Sequence, residues 1–157
     1  MKNGKNEQWK GLARRLDEEL ATLDDGEFLI VAIRGTNLYV QFGAQESFGI
    51  RAEATSNHYL PEHARLDGDQ HVALLAMGWR PPMRRAGGAG SEVPAGSPNY
   101  SFDVPPLDSY AGLAQMAVKT LRTVFGATDV RQLEFGASGE NDAAIRSRLL
   151  GIPMSAA

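Results

Sequence analysis

The sequence has 157 residues, enough for one domain with its own hydrophobic core, and a formal net charge of −3. It contains no cysteine, which excludes disulfides, thiol catalysis and metal sites built on thiolates. The negative charge argues against general binding to nucleic acid or anionic membranes. No apolar run is long enough for a transmembrane helix, and the N-terminus lacks the apolar stretch of a secretory signal. We therefore expect a single cytoplasmic domain over residues 1–157.

The first predicted element is an amphipathic helix. Its apolar residues recur at steps of three and four, opposite a charged face. They are Trp9, Leu12, Leu16, Leu20 and Leu23. The helix should end at residues 24–26, where two aspartates precede a glycine. This pattern is typical of a helix that covers a sheet; the alternative is that part of the stripe, Trp9 especially, contacts a second subunit or a bound peptide.

Three strands joined at hairpin lengths follow, at residues 27–34, 37–42 and 47–54. The first strand is apolar on both of its faces, which predicts that both faces are covered. We suspect that a dimer interface or the loop around Trp79 provides the second cover.

The second and third strands alternate between apolar and polar residues. Phe48 falls on the apolar side of the third strand, whereas Tyr39 and Gln41 fall on the polar side of the second. The three-stranded meander therefore has one apolar face that helices should cover and one outer face.

A short helix is predicted next, because Asp67 is a preferred N-cap residue and Gly78 is suited to the left-handed conformation that ends a helix. Trp79 follows this glycine directly. Pro81 and Pro82 then forbid further helix and require an extended path.

The second half of the sequence begins with residues 84–98, whose glycines, prolines and alanines predict a flexible loop. The remaining predicted elements are a fourth strand at 99–104, a second long amphipathic helix at about 108–125, a fifth strand at 130–135 and a short terminal helix at 142–150, before a frayed tail at 151–157. The predicted fold class is α+β: an antiparallel sheet of about five strands, opened by the meander and covered by two long amphipathic helices.

Residues that often carry chemistry do not fall into a recognisable pattern. The three histidines, His58, His63 and His71, lack the spacing of four that a zinc-binding helix uses. The glycines at 87–90 lack the lysine of a phosphate-binding loop, and residues 136–140 place the second glycine one position too early for a nucleophile elbow. We predict no catalytic residue, no cofactor, no metal and no enzyme activity.

Three segments together resemble a known family. They are the helix end with its tryptophan and prolines at 74–82, the asparagine–tyrosine step at 98–100, and the helix at 117–126 that ends in Thr-Leu-Arg-Thr-Val-Phe-Gly. The chain resembles the actinobacterial branch of the YbjN and type III secretion chaperone-like group, the TY-Chap domains, over most of its length. It departs from the family pattern at Met77, where leucine is commoner, and at Tyr100, where tryptophan is often found.

The resemblance implies a helix-wrapped antiparallel sheet, frequently dimeric, that binds extended segments of other proteins without catalysis. We expect protein or peptide clients, a possible homodimer, and neither a nucleic-acid nor a membrane partner. The predicted contact surface combines the neighbourhood of Trp79 with the outer face of the meander. Its candidate residues are Trp79, Pro81, Pro82, Tyr39, Gln41, Trp9 and Tyr100.

Three alternatives stay open from the sequence. Trp79 could equally be a core residue at the edge of the sheet. The protein could be an immunity or regulatory protein that binds one specific partner. An enzymatic or small-molecule function could also lie in a cleft that the sequence does not reveal.

Overall fold

The structure is a computed structural model that describes residues 2–83 and 97–138. The predicted loop at 84–98 lies almost entirely outside these residues. The predicted terminal helix at 142–150 and the tail at 151–157 lie entirely outside them.

In this part of the chain one antiparallel sheet is combined with helices. The helices are α1 (Lys2–Thr22), α2 (Gly68–Met77) and α3 (Ala111–Lys119), and the strands are β1 (Phe28–Ile33), β2 (Tyr39–Ala44), β3 (Ile50–Ala54), β4 (Tyr100–Val104) and β5 (Leu133–Ser138). The five strands are ordered β4-β3-β2-β1-β5, and all neighbours are antiparallel. The predicted α+β class with an N-terminal meander is confirmed.

Helices α1 and α3 cover one face of the sheet, called the inner face below. The predicted stripe of α1 is buried from Trp9 to Leu20, because residues three and four apart share one side of a helix. It joins a single hydrophobic cluster whose largest fully buried members are Phe42, Phe135, Leu12, Leu16, Leu20, Leu29, Leu74, Leu121, Leu133, Val31 and Val40. The two predicted cover helices therefore lie on the same side of the sheet.

The ends of α2 follow the sequence signals. The Asp67 carboxylate accepts a hydrogen bond from the Gln70 backbone N–H at 2.8 Å, and the Gln70 side chain accepts one from the Asp67 N–H at 2.9 Å. This reciprocal pair is a capping box. Gly78 has a φ of +111°, a left-handed conformation that favours glycine, so the helix stops there and the chain turns into Trp79.

The start of β3 differs from the prediction. The strand begins at Ile50, and Phe48 lies in the preceding 3-10 turn (Glu46–Phe48), where 77% of it is exposed. Gly49 has a φ of +90°, which breaks the extended conformation. The alternation that placed Phe48 on the inner face therefore does not continue across this glycine.

The fifth strand is also displaced. β5 runs from Leu133 to Ser138, whereas Val130–Gln132 forms a 3-10 turn. Asp129 caps this turn, because its carboxylate accepts from the Arg131 N–H at 2.9 Å. The Gln132 side chain in turn accepts from the Asp129 N–H at 3.2 Å, so local hydrogen bonds replace strand pairing here.

The expectation that β1 is covered on both faces is not met within the described residues. Leu29 and Val31 are buried on the inner face, whereas Phe28 is 50% exposed and Ile30 is only half-buried on the opposite face. Trp79 packs on the side of α3 and does not cover this second face.

In the described part of the chain, no helix is long and apolar enough to cross a membrane.

Candidate functional site on the outer face of the sheet

The outer face is the side of the sheet opposite α1 and α3. Strand register brings its residues into rows across neighbouring strands, so that Ile30 lies between Gln41 and Gly136 and Phe28 lies beside Gly43. The outward residues of the five strands are Phe28, Ile30, Ala32, Tyr39, Gln41, Gly43, Arg51, Glu53, Ser101, Asp103, Glu134 and Gly136. Those on β1, β2 and β3 are all half-buried or exposed.

An apolar row of three residues, Phe28, Ile30 and Ala32, runs along β1, the strand next to the edge strand β5. Glycines flank the row. A Cβ atom on Gly43 would lie 3.2 Å from the Phe28 ring, so the ring rests over this glycine. A Cβ atom on Gly136 would lie 3.9 Å from the Ile30 Cβ, so the missing side chain leaves the β5 side of Ile30 open. The backbone thus keeps the apolar row accessible.

Polar side chains on the strands beyond β1 satisfy one another. The Gln41 side-chain amide donates to Glu53 at 2.9 Å, and the Ser97 hydroxyl donates to the second Glu53 oxygen. Arg51 donates to both carboxylate oxygens of Asp103, at 2.8 and 3.2 Å, and Arg80 pairs with the same carboxylate. The apolar row is therefore bordered on one side by a hydrogen-bonded polar network.

The pKa of Asp103 follows from two opposed effects. Partial burial raises the pKa, but the guanidinium groups of Arg51 and Arg80 outweigh it, so the pKa lies below the ordinary value of 3.8. A lowered carboxylate pKa adds stability above 3.8 that is lost as the pH falls through the folded-state value.

We expect the Asp103→Asn variant to be about 0.5–1 kcal/mol less stable than the wild type at neutral pH, a modest value because the pair is partly exposed to water. The difference should shrink as the pH falls from 3.8 through the lower folded-state pKa, because the folded wild-type carboxylate is then protonated and loses its charge. Urea unfolding of both proteins across this pH range tests the expectation. A difference that does not change with pH would contradict the role of the carboxylate charge.

The sheet presents an unpaired edge close to the apolar row. β5 is the last strand in the sheet order, and within residues 2–83 and 97–138 no strand pairs with its second edge. At the opposite end, Arg80 already pairs with Ser101 of β4 through two backbone hydrogen bonds of 2.9 and 3.2 Å. Because an unpaired edge offers backbone donors and acceptors to another chain, β5 is the available edge in the described part of the sheet.

Comparison with known protein families gave one informative match. A family model described as "T3SS (YopN, CesT) and YbjN peptide-binding chaperone 3", TY-Chap3, matches residues 3–139. The chain belongs to the TY-Chap3 family. The predicted resemblance to the YbjN and type III secretion chaperone-like group is thereby confirmed, and the family is one of peptide-binding chaperones. No curated protein and no solved structure matched the chain.

The TY-Chap3 fold divides the predicted contact residues between several places. Tyr39 and Gln41 lie on the outer face, where the Tyr39 hydroxyl accepts a hydrogen bond from Asn99 at 3.1 Å. Burial raises the pKa of Tyr39 above 10.0. Pro81 and Pro82 are exposed beyond the edge of β4. These four residues are thus accessible, although only the first two adjoin the apolar row.

The three remaining aromatic candidates are buried on the helical side. Trp79 and Trp9 are each 2% exposed, and Tyr100 is 4% exposed. The Tyr100 hydroxyl lies 2.6 Å from His71 Nδ1. Burial raises the pKa of Tyr100 above 10.0. In the described residues no group of three or more histidine and acidic side chains could hold a metal ion.

Trp79 is fixed by α3, which ends in a π-helical turn (Thr120–Val124). The indole Nε1–H donates to the buried Thr120 hydroxyl at 3.0 Å, and this hydroxyl donates to the Met116 carbonyl at 2.8 Å. A side chain that competes for a helix carbonyl favours such a local change of helix geometry. Trp79 therefore packs as a core residue.

We expect Thr120→Val to lower the free energy of unfolding by about 1–3 kcal/mol, because it leaves the buried Trp79 N–H without an acceptor. Thr120→Ser, which keeps the hydroxyl, should lose less. Urea unfolding measures both effects, and the indole N–H signal in an NMR spectrum should move in the valine variant. An unchanged indole signal would contradict the hydrogen bond.

The predicted contact surface includes the outer face of the meander, but Phe28 and Ile30 are not among its candidate residues. The apolar residues on both faces of β1 are visible in the sequence. That pattern predicts a second layer over the outer face and does not show that this face is an open contact surface. The hydrophobic pattern reports which faces are apolar and does not report what lies against them.

Proposed function

We propose that this TY-Chap3 domain is a non-enzymatic chaperone that binds an extended segment of a partner protein on the outer face of its sheet. The observation that carries the proposal is the apolar row of Phe28, Ile30 and Ala32, which the described helices leave accessible. Contiguous apolar residues on an accessible face often mark a site where another molecule binds.

The proposed mode of binding is the addition of a strand to β5. An extended segment forms backbone hydrogen bonds with the unpaired edge, and every second side chain then points to the outer face. Gly136 offers space at this position, so a large apolar side chain can reach across it to Ile30. Affinity comes from backbone pairing, and selectivity for apolar side chains comes from the row on β1.

The proposal is tested by fluorescence anisotropy with a labelled peptide of about ten residues that alternates valine or leucine with threonine. We expect micromolar binding. A control peptide with proline at the positions that donate backbone hydrogen bonds should not bind, because proline has no N–H. Equal binding of the two peptides, or binding of neither, would contradict the proposed mode.

The cytoplasmic location and the homodimer stay predictions. Light scattering at several protein concentrations tests the homodimer directly. The proposed outer-face site is complete within one chain, so its peptide affinity should not depend on the oligomeric state.

A further inference from the structure

A groove between α1 and α3 lies on the other side of the molecule from the sheet's outer face. The two helices are antiparallel: the Asp17 carboxylate of α1 accepts from the Tyr110 N–H before α3 at 2.6 Å, and Asn6 accepts from Arg122 at 3.4 Å. The first part of the groove has a volume of about 190 Å³, and a second part adjoins it along the same pair of helices.

The groove combines an apolar floor with a cationic rim. Ala13, Val118 and the buried Trp9 form the floor. The rim carries four exposed cations, Lys10, Arg14, Lys119 and Arg122. The one carboxylate among its described residues, the half-buried Asp17, already accepts hydrogen bonds from the Ser109 hydroxyl and the Tyr110 N–H. This concentration of positive charge is unexpected in a chain whose net charge is −3.

The described part of the chain does little to neutralise these cations. Lys10 lies 3.7 Å from Glu7 in a surface pair whose side chains are both about three-quarters exposed. Arg14, Lys119 and Arg122 make no ion pair within residues 2–83 and 97–138. Lys119 and Arg122 are three residues apart on one side of the helix, where like charges repel.

Arg122 is already positioned to receive a carboxylate. Its guanidinium carbon lies 5.0 Å from the centroid of the Trp9 ring, so the aromatic face restrains the side chain. Its hydrogen bond to Asn6 is long, and a stacked guanidinium keeps several donors for a carboxylate.

We propose that this groove binds an acidic segment of a partner protein. One carboxylate of the segment pairs with Arg122 and Lys119, and an adjacent apolar side chain packs on Ala13 and Val118. Charge complementarity selects an acidic occupant, because neutral or basic segments leave the cations unpaired. The site lies on the helical side and does not depend on the strand-addition site of the proposed function.

The test uses the two tryptophans as reporters in NMR spectra of the whole chain. The probe is a helical peptide with glutamates four residues apart on either side of a leucine, and the control probe has lysine in place of each glutamate. The acidic peptide should shift the Trp9 indole N–H signal and the amide signals of Lys119 and Arg122, and leave the Trp79 indole signal in place. The shift should weaken as salt is raised.

Lys119→Glu should reduce the affinity for the acidic peptide about tenfold or more. Arg65→Glu makes the same charge change at an exposed residue outside the groove and should change the affinity little. The proposal is overturned if the acidic peptide causes no shift, if the lysine peptide binds equally well, or if a single-stranded oligonucleotide binds the groove and the acidic peptide does not.

Discussion

Replacing Phe28 by aspartate should weaken the binding of an extended apolar peptide by about a hundredfold. The change places a charge at the first position of the apolar row, and a bound apolar side chain would have to desolvate it. The fold should lose only about 1 kcal/mol, because Phe28 is already 50% exposed and the main cost is the lower strand propensity of aspartate. Fluorescence anisotropy measures the affinity, and urea unfolding measures the stability.

Phe48 provides a matched control for this variant. It is also an exposed phenylalanine, at 77%, but it lies in the turn before β3 and outside the apolar row. Phe48→Asp should therefore leave the peptide affinity within about twofold of the wild type. An equal loss in the two variants would mean that exposed aromatic surface in general, and not the outer face of β1, carries the binding.

Replacing Gly49 by alanine should lower the free energy of unfolding by about 3–4 kcal/mol. The residue has a φ of +90°, which costs about 1–2 kcal/mol for a residue with a side chain. A Cβ atom there would also lie 2.0 Å from the Val104 carbonyl oxygen, so β3 and β4 would have to move apart at this end.

A substitution at Gly26 separates the conformational cost of a positive φ from the cost of the steric clash with β4. The φ of Gly26 is +79°, but a Cβ atom would meet nothing within 4 Å. Gly26→Ala should therefore cost only the conformational part, about 1–2 kcal/mol. Urea unfolding of the two variants side by side gives the comparison; equal losses would show that the contact with β4 does not contribute.

The parts of the fold that could be predicted are those set by local sequence. The stripe of α1 follows from helical spacing, and the ends of α2 follow from Asp67 and Gly78, whose effects act within one turn. The placement of β5 beside β1 could not be predicted, because it joins residues about a hundred positions apart. A local pattern carries no information about which distant strand becomes the neighbour.

The candidate site shows the same division. The alternation of β2 correctly placed Tyr39 and Gln41 on the outer face. The position of Trp79 depends on its hydrogen-bond partner Thr120, which lies 41 residues later in the sequence. The two prolines after Trp79 therefore could not show whether its side chain lies on the surface or in the core. The openness of the face around Ile30 depends on Gly136, a residue that reaches it only through sheet register.

The arrangement gives the protein two separate surfaces of different chemistry. The outer face offers an apolar row with an adjacent unpaired strand edge, whereas the helical side offers a cationic groove. We infer that a client segment and an acidic partner can be bound at the same time, since the sheet and its hydrophobic core separate the two surfaces. Titrating one peptide in the presence of the other measures any coupling between them.

The central claim is that an extended segment binds at β5 and contacts the apolar row of β1. The most direct measurement is an NMR study of the labelled protein with the alternating valine–threonine peptide bound. We predict nuclear Overhauser contacts from the peptide's apolar side chains to Ile30 and Phe28, together with amide shifts along β5. Contacts confined to the α1–α3 groove, or to the surface around Pro81 and Pro82, would contradict the account.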